Sequence, residues 1–286
     1  RAGRVTESTA TWNVAGDVTY PVVTGIDLSP QRTGDTYVAG ETITVTARAT
    51  DDVKLAKVRI ELDGRVAESA TSPATLSWLA PPVASSTTFT VAVTATDVAG
   101  NSTPGSRTIT VTPRSDTVPP TIAIDCPTAG ALLPSGLSSF TLQATAGDDQ
   151  GVHHVEVFRD VETTPLATLF AANGTARSFP VTATGITLPT VTEPTVVRFR
   201  VRAFDFGGNA SGEVQSEVTV VPAIEISAAG PNDWDALSGQ TAYVASGTTL
   251  VLDQPRTFRD LLVLRGATIT HPAGGSQRLD LNVTGT

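Results

Sequence analysis

Two stretches decide the fold: Ala49-Thr-Asp51-Asp52-Val-Lys-Leu-Ala-Lys-Val58-Arg-Ile60-Glu-Leu62-Asp63 and Ala146-Gly-Asp148-Asp149-Gln-Gly-Val-His-His-Val155-Glu-Val157-Phe-Arg-Asp160. Each runs from an Asp-Asp pair into alternating apolar and polar residues, with Asp148 lying 97 positions after Asp51 (148 − 51). Pro30 meets Pro127 at the same offset, and Thr42 to Val45 meets Ser139 to Leu142. Further on, Asp97-Val-Ala-Gly100-Asn101 matches Asp205-Phe-Gly-Gly208-Asn209 at an offset of 108 (205 − 97). The chain is therefore an internal repeat of roughly 100 residues. The eleven extra residues of the second copy are expected around 170–195, in a surface loop or lengthened hairpin.

Working outward, Val58-Arg-Ile60-Glu-Leu62, Thr42-Ile43-Thr44-Val45-Thr46-Ala47 and Phe89-Thr-Val91-Ala-Val93-Thr-Ala95 alternate with a period of two. Such strands bury one face and wet the other, and six or seven of them per copy predict a two-sheet sandwich. In the first copy they are expected near 22–28, 42–49, 56–62, 74–78, 87–96 and 106–112. Nothing carries the 3.6-residue period of a long helix. The fold class is all-β, with sandwiches at 20–115 and 118–222. Ala2-Gly3 precedes Ala99-Gly100 by 97 positions, and Thr11-Trp12-Asn13-Val14 falls where a last strand should lie. Residues 1–17 thus read as the final strand of a truncated preceding copy.

Composition excludes several classes of function. Among 286 residues the formal charge is −9, which lacks the basic footprint that nucleic acid requires. Charged residues make up only 16%, against about 25% in an average domain, so the surface is polar through hydroxyls. One cysteine, Cys126, permits neither an internal disulfide nor a thiolate zinc site. No apolar run is long enough for direct membrane insertion. The chain starts at Arg1 and has no Met, from which a piece or processed product of a larger protein is expected. No nucleophile elbow, phosphate loop or HExxH motif is present, so no catalytic residue is assigned.

The Pro-bearing lead-in Val118-Pro119-Pro120-Thr-Ile-Ala-Ile, the Asp-Asp before the third strand and the Asp-x-x-Gly-Asn before the last together resemble tandem bacterial immunoglobulin-like domains. The resemblance covers residues 1 to about 222; the second copy departs from it by reading Phe-Gly-Gly for Val-Ala-Gly. It implies an extracellular or cell-surface location and a non-catalytic spacer or adhesive role. The partners would be neighbouring domains of the parent chain, and a surface protein or polysaccharide. The alternative is an accessory region of an exported polysaccharide-acting enzyme, or the scaffold of a secreted toxin.

From Ala223 the character changes to short strands separated by Gly or Pro, and 223–286 is expected to open a parallel β-helix or to be a partial β domain. Leu250, Leu262, Ile269 and Leu281 are the expected inward positions. Trp234, between Asp233 and Asp235, would pack at that junction or stack on a saccharide.

The candidate chemistry lies in the repeated acidic turns. In a sandwich, the loop after the second strand and the turn before the last share one pole. That brings Asp51, Asp52, Asp97 and Asn101 together in the first copy, and Asp148, Asp149, Asp205 and Asn209 in the second. Asp17 and Asp116 lead into those poles. Two readings stay open. Each Asp caps its own turn, or Asp116, Asp148, Asp149 and Asp205, and with less support Asp51, Asp52, Asp97 and Asn101, form oxygen cages for Ca²⁺. No cofactor is required by either reading. His153 and His154, as neighbours on a strand, should point to opposite faces, one apolar and one wet. His271 has no companion, and Cys126 reads as a small buried hydrophobe. Asn101, Asn173, Asn209 and Asn282 match glycosylation acceptors, which matters only in a eukaryotic secretory host.

Overall fold

The computed structural model describes residues 16–135, 137, 140–226, 237–252, 256–270 and 281–283. The preceding-copy strand expected at 1–17, Trp234 and His271 lie outside them, apart from Gly16 and Asp17. The chain divides into two units, Arg1–Ser115 and Asp116–Thr286.

In the first unit β1 (Val22–Ser29), β3 (Thr42–Thr50) and β6 (Ala74–Leu79) form one sheet, ordered β1-β3-β6. The second sheet, ordered β2-β8-β7-β4-β5, takes β2 (Thr36–Val38), β4 (Leu55–Leu62), β5 (Arg65–Ser69), β7 (Thr87–Asp97) and β8 (Ser102–Thr112). The alternation read from sequence sets the faces. Ile43, Val45 and Ala47 from one sheet meet Val58, Ile60, Leu62, Val91 and Val93 from the other in a single core. Trp78, 1% exposed, fills the middle and lies with its ring 5.0 Å from that of Phe89. Its indole N–H reaches the Asp63 carboxylate at 3.4 Å. The short strands β2 and β5 carry too little alternation to be read from sequence. β2 leaves the sheet of β1 and pairs parallel with β8, Thr36 opposite Thr110.

The second sandwich repeats this order strand for strand. β9 (Thr121–Cys126), β11 (Phe140–Gly147) and β14 (Ser178–Ile186) make one sheet. The other is ordered β10-β16-β15-β12-β13, from β10 (Leu132–Pro134), β12 (Val152–Arg159), β13 (Ala167–Phe170), β15 (Thr195–Asp205) and β16 (Val214–Val221). Volume is redistributed across one cross-strand pair. Ile43 faces Trp78 in the first unit, whereas Phe140 faces Ile186 in the second, and Phe140 stacks on Phe199 at 5.5 Å. The aromatic moves to the facing strand and becomes smaller, Phe in place of Trp.

The expectation of one loop insertion needs correction. Val58 pairs with Ser69 and Val155 with Leu169, an offset of 100 (169 − 69), so three residues lengthen the hairpin before β13. Val45 pairs with Leu76 and Leu142 with Ala183, an offset of 107 (183 − 76), which places seven more between β13 and β14. The last residue is absorbed by the register shift between Phe140 and Leu142. Within 170–195, β14 is a core strand burying Val181, Ala183 and Ile186.

Beyond the sandwich the pairing becomes parallel. β17 (Ile224–Glu225), β18 (Thr241–Val244) and β21 (Asp260–Val263) form one sheet. β19 (Thr249–Val251) pairs with β22 (Thr268–Thr270), and β20 (Arg256–Phe258) with β23 (Leu281–Val283). Thr241 meets Asp260 and Thr249 meets Thr268, so both pairings recur after 19 residues (260 − 241 and 268 − 249). Leu250 and Ile269 lie opposite each other and share a small core with Phe258, as expected. Leu261, not Leu262, is the inward residue of β21: it stands beside buried Ala242, while Leu262 stands beside Tyr243. The side chain of Leu281 lies outside the described residues.

Candidate metal centre

Each Asp-x-x-Gly-Asn motif forms a tight turn closing the last hairpin of its sandwich. Asp97 Oδ1 accepts the N–H groups of Ala99 (2.8 Å) and Asn101 (2.9 Å), and Gly100 takes φ +97°. Asp205 Oδ1 accepts the Asn209 N–H at 2.8 Å, and Gly208 takes φ +89°. A left-handed conformation at this point selects glycine. Both aspartates are 1% exposed. Burial works to raise the Asp97 pKa, but the hydrogen bonds from Asn101, Gly100 and Ala99 outweigh it and hold the carboxyl below its ordinary value.

The asparagines do a second task that the sequence did not disclose. The Asn101 amide donates to the backbone carbonyls of Asp17 (3.2 Å) and Thr19 (3.3 Å). The Asn209 amide donates to the carbonyl of Asp116 at 3.0 Å. Each therefore ties the segment leading into the sandwich to the last-hairpin turn through its amide nitrogen. Gly207 takes part too: a Cβ there would sit 2.7 Å from Asp116 Cβ and 2.9 Å from its carbonyl oxygen. This accounts for Gly207 where the first copy has Ala99.

These ties gather the acidic residues. Asp116, Asp148 and Asp205 each bring a carboxylate oxygen within 4.8 Å of the others, and Asp17, Asp51 and Asp97 do the same in the first unit. Asp149 and Asp52 are exposed and fall outside both groups. In four of these six aspartates local capping uses one of the two oxygens. Asp148 Oδ1 accepts from Gln150 (2.9 Å) and Gly151 (2.6 Å), and Asp116 Oδ1 from Val118 (3.1 Å). Asp51 Oδ2 accepts from Val53 and Lys54, and Asp17 Oδ1 from Thr19. The other oxygen of all four (Asp17 Oδ2, Asp51 Oδ1, Asp116 Oδ2 and Asp148 Oδ2) is buried and accepts no hydrogen bond. Burial, with the charges of Asp148, Asp205 and Asp149, raises the Asp116 pKa against the opposing Val118 hydrogen bond.

The two histidines depart from expectation. The register of β12 against β15 shifts between Val152 and His154, so strict alternation fails there. The rings meet, with Nδ1 atoms 2.8 Å apart. His154 stacks flat on Phe204 at 4.5 Å, and His153 lies 4.8 Å from Phe206 and 5.4 Å from Phe170. Burial, helped by the neighbouring His154, lowers the His153 pKa to about 4. Cys126 is half-buried, not enclosed, because it ends the outer strand β9.

Residues 26–111 match the family model of the bacterial Ig domain. The chain is 31% identical over 255 residues to chitinase A1 of Niallia circulans, a match covering 85% of this chain and 33% of that protein. The chain thus spans about a third of the length of that curated relative. Among solved structures, it is similar to the fibronectin(III)-like modules of Clostridium thermocellum CbhA (18% identity, 71% of this chain and 94% of that one, TM-score 0.28). The SrpA adhesin of Streptococcus sanguinis is similar at 18% identity over 43% of this chain and 75% of its own, with TM-score 0.30. Residues 26–111 are thus similar to the bacterial Ig domain, and the second sandwich repeats the strand order of the first.

Proposed function

We propose that this chain is a non-catalytic spacer and presentation region of a larger bacterial protein acting outside the cell or at its surface. One observation carries the reading. Among the described residues the buried polar side chains are Asp97, Asp116, Asp205, Ser211, Ser216 and Thr241. Asp97, Asp116 and Asp205 cap turns, while Ser211 serves the Ala203 N–H and the Gly212 carbonyl. Ser216 serves the Pro127 carbonyl and Thr241 the Asp260 carboxylate. These groups maintain the scaffold, and a nucleophile with a paired base is not among them. Parallel pairing of successive strands, twice after 19 residues, supports a solenoid as the form of the C-terminal part.

A more specific reading is favoured by the match to one third of a chitinase: an accessory region beside a polysaccharide-acting domain. The test incubates the purified chain with insoluble chitin, measuring depletion from solution and release of soluble sugar. The accessory reading expects depletion without release. Neither depletion nor release leaves the plain spacer, and sugar release overturns both.

A further inference from the structure

We propose that Asp116, Asp148 and Asp205 form a Ca²⁺ site that fastens the leading segment of the second sandwich to its Asp148 loop and to its last-hairpin turn. Two oxygens bound at about 2.4 Å to one cation lie no more than about 4.8 Å apart. The three carboxylates satisfy that limit pairwise. All three donors are carboxylate oxygens, the set preferred by a hard cation. Mg²⁺ demands shorter, near-octahedral contacts and sheds its water reluctantly, whereas Ca²⁺ accepts irregular loops and fills its sphere with carbonyls and water.

The second observation is independent of the clustering. Asp116 is only 8% exposed, and its Oδ2 accepts no hydrogen bond, nor does Oδ2 of Asp148. Turn capping explains Oδ1 of each residue and leaves Oδ2 without a function. A buried, unpartnered carboxylate oxygen facing two further carboxylates costs free energy unless a positive charge joins it. Asp148 and Asp205 place like charges within 4.8 Å of the Asp116 carboxylate. A divalent cation reverses that repulsion. Asn209 and Gly207 then have a clear purpose, because they bring Asp116 against the turn and set the spacing of the cage. Asp17, Asp51 and Asp97 repeat the arrangement in the first unit with a less buried leading Asp.

The experiment is calorimetric titration of CaCl₂ into the EDTA-treated 286-residue chain, with melting followed by circular dichroism. The wild type is expected to bind Ca²⁺, and a hundredfold excess over Kd should raise its folding equilibrium constant about 100-fold. The double variant Asp116→Asn with Asp148→Asn should lose one equivalent of bound Ca²⁺. Its metal-free Tm should equal or exceed that of the wild type, since Asn retains the cap and removes repulsion. Asp149→Asn should keep full stoichiometry. Absence of heat and of any Tm shift in the wild type at millimolar Ca²⁺ overturns the proposal, and that arm stands even if the double variant fails to fold. Unchanged stoichiometry in a folded double variant overturns it equally.

Discussion

The side-chain amide of Asn209 donates at once to the carbonyl of Asp116, 3.0 Å away, and to the Asp205 carboxylate at 2.8 Å. One residue thus joins the beginning of the second sandwich to its last hairpin, 93 residues further along. Asn101 performs the same task for Asp17 and Asp97. The closing Asn of the motif is a strap between distant segments, and the turn alone would not require it.

Gly207 lies under that strap. Gly207→Ala should destabilise the second sandwich by about 1–3 kcal/mol, because the new methyl meets backbone and Cβ atoms of Asp116 that have little room to move. Gly212→Ala, where a Cβ would meet nothing within 4 Å, is the control. Urea unfolding of both variants checks the difference, and equal midpoints contradict it.

The exchange of Ile43–Trp78 for Phe140–Ile186 predicts where each core is fragile. Trp78→Ala should cost about 3–5 kcal/mol and leave the second sandwich untouched. Ile186→Ala should cost less, since Phe140 and Phe199 carry the aromatic bulk there. Two-transition calorimetry would assign each loss to its own unit, and a loss in the wrong transition contradicts the pairing.

The distribution of the inserted residues separates two valines. Val181, 2% exposed on β14, should not tolerate aspartate, with a loss of about 4 kcal/mol or more from an unpaired buried charge. Val161, 90% exposed in the lengthened hairpin, should accept aspartate within about 0.5 kcal/mol. Thermal melting of the two variants decides the matter; a tolerated Val181→Asp would return β14 to the surface.

Much of this fold was legible because strands buried on one face repeat every two residues, and the long strands β3, β4 and β7 do so plainly. The short edge strand β5, Arg65-Val-Ala-Glu-Ser69, is mostly exposed and shows no such rule. Position by alternation failed at His153 and His154, where the register slips, and at Leu261, where a four-residue strand fixes no phase. The acidic groups were legible as carboxylates at one pole. Their membership was not: which of two adjacent aspartates turns inward depends on the loop backbone, and Asp148 and Asp51 do so while Asp149 and Asp52 do not.

His153 gives the second sandwich a pH dependence. Its folded pKa, about 4, lies below the ordinary value of 6.5, so the unfolded chain takes up a proton first. Stability is fully present above about pH 6.5 and falls as pH drops towards 4. The carboxylate Glu156 opposes the burial of the adjacent His154, whose pKa is also lowered. His153→Gln should flatten the dependence of the second melting transition between pH 7 and 4. An unchanged slope would assign the acid sensitivity elsewhere.

A crystal structure grown in CaCl₂ tests the central claim most directly, that the leading segment, the Asp148 loop and the last-hairpin turn are built around one cation. The account predicts an anomalous scattering peak with oxygens of Asp116, Asp148 and Asp205 at about 2.3–2.6 Å. Water alone between those carboxylates, with each unpartnered oxygen hydrogen-bonded to it, would contradict the account.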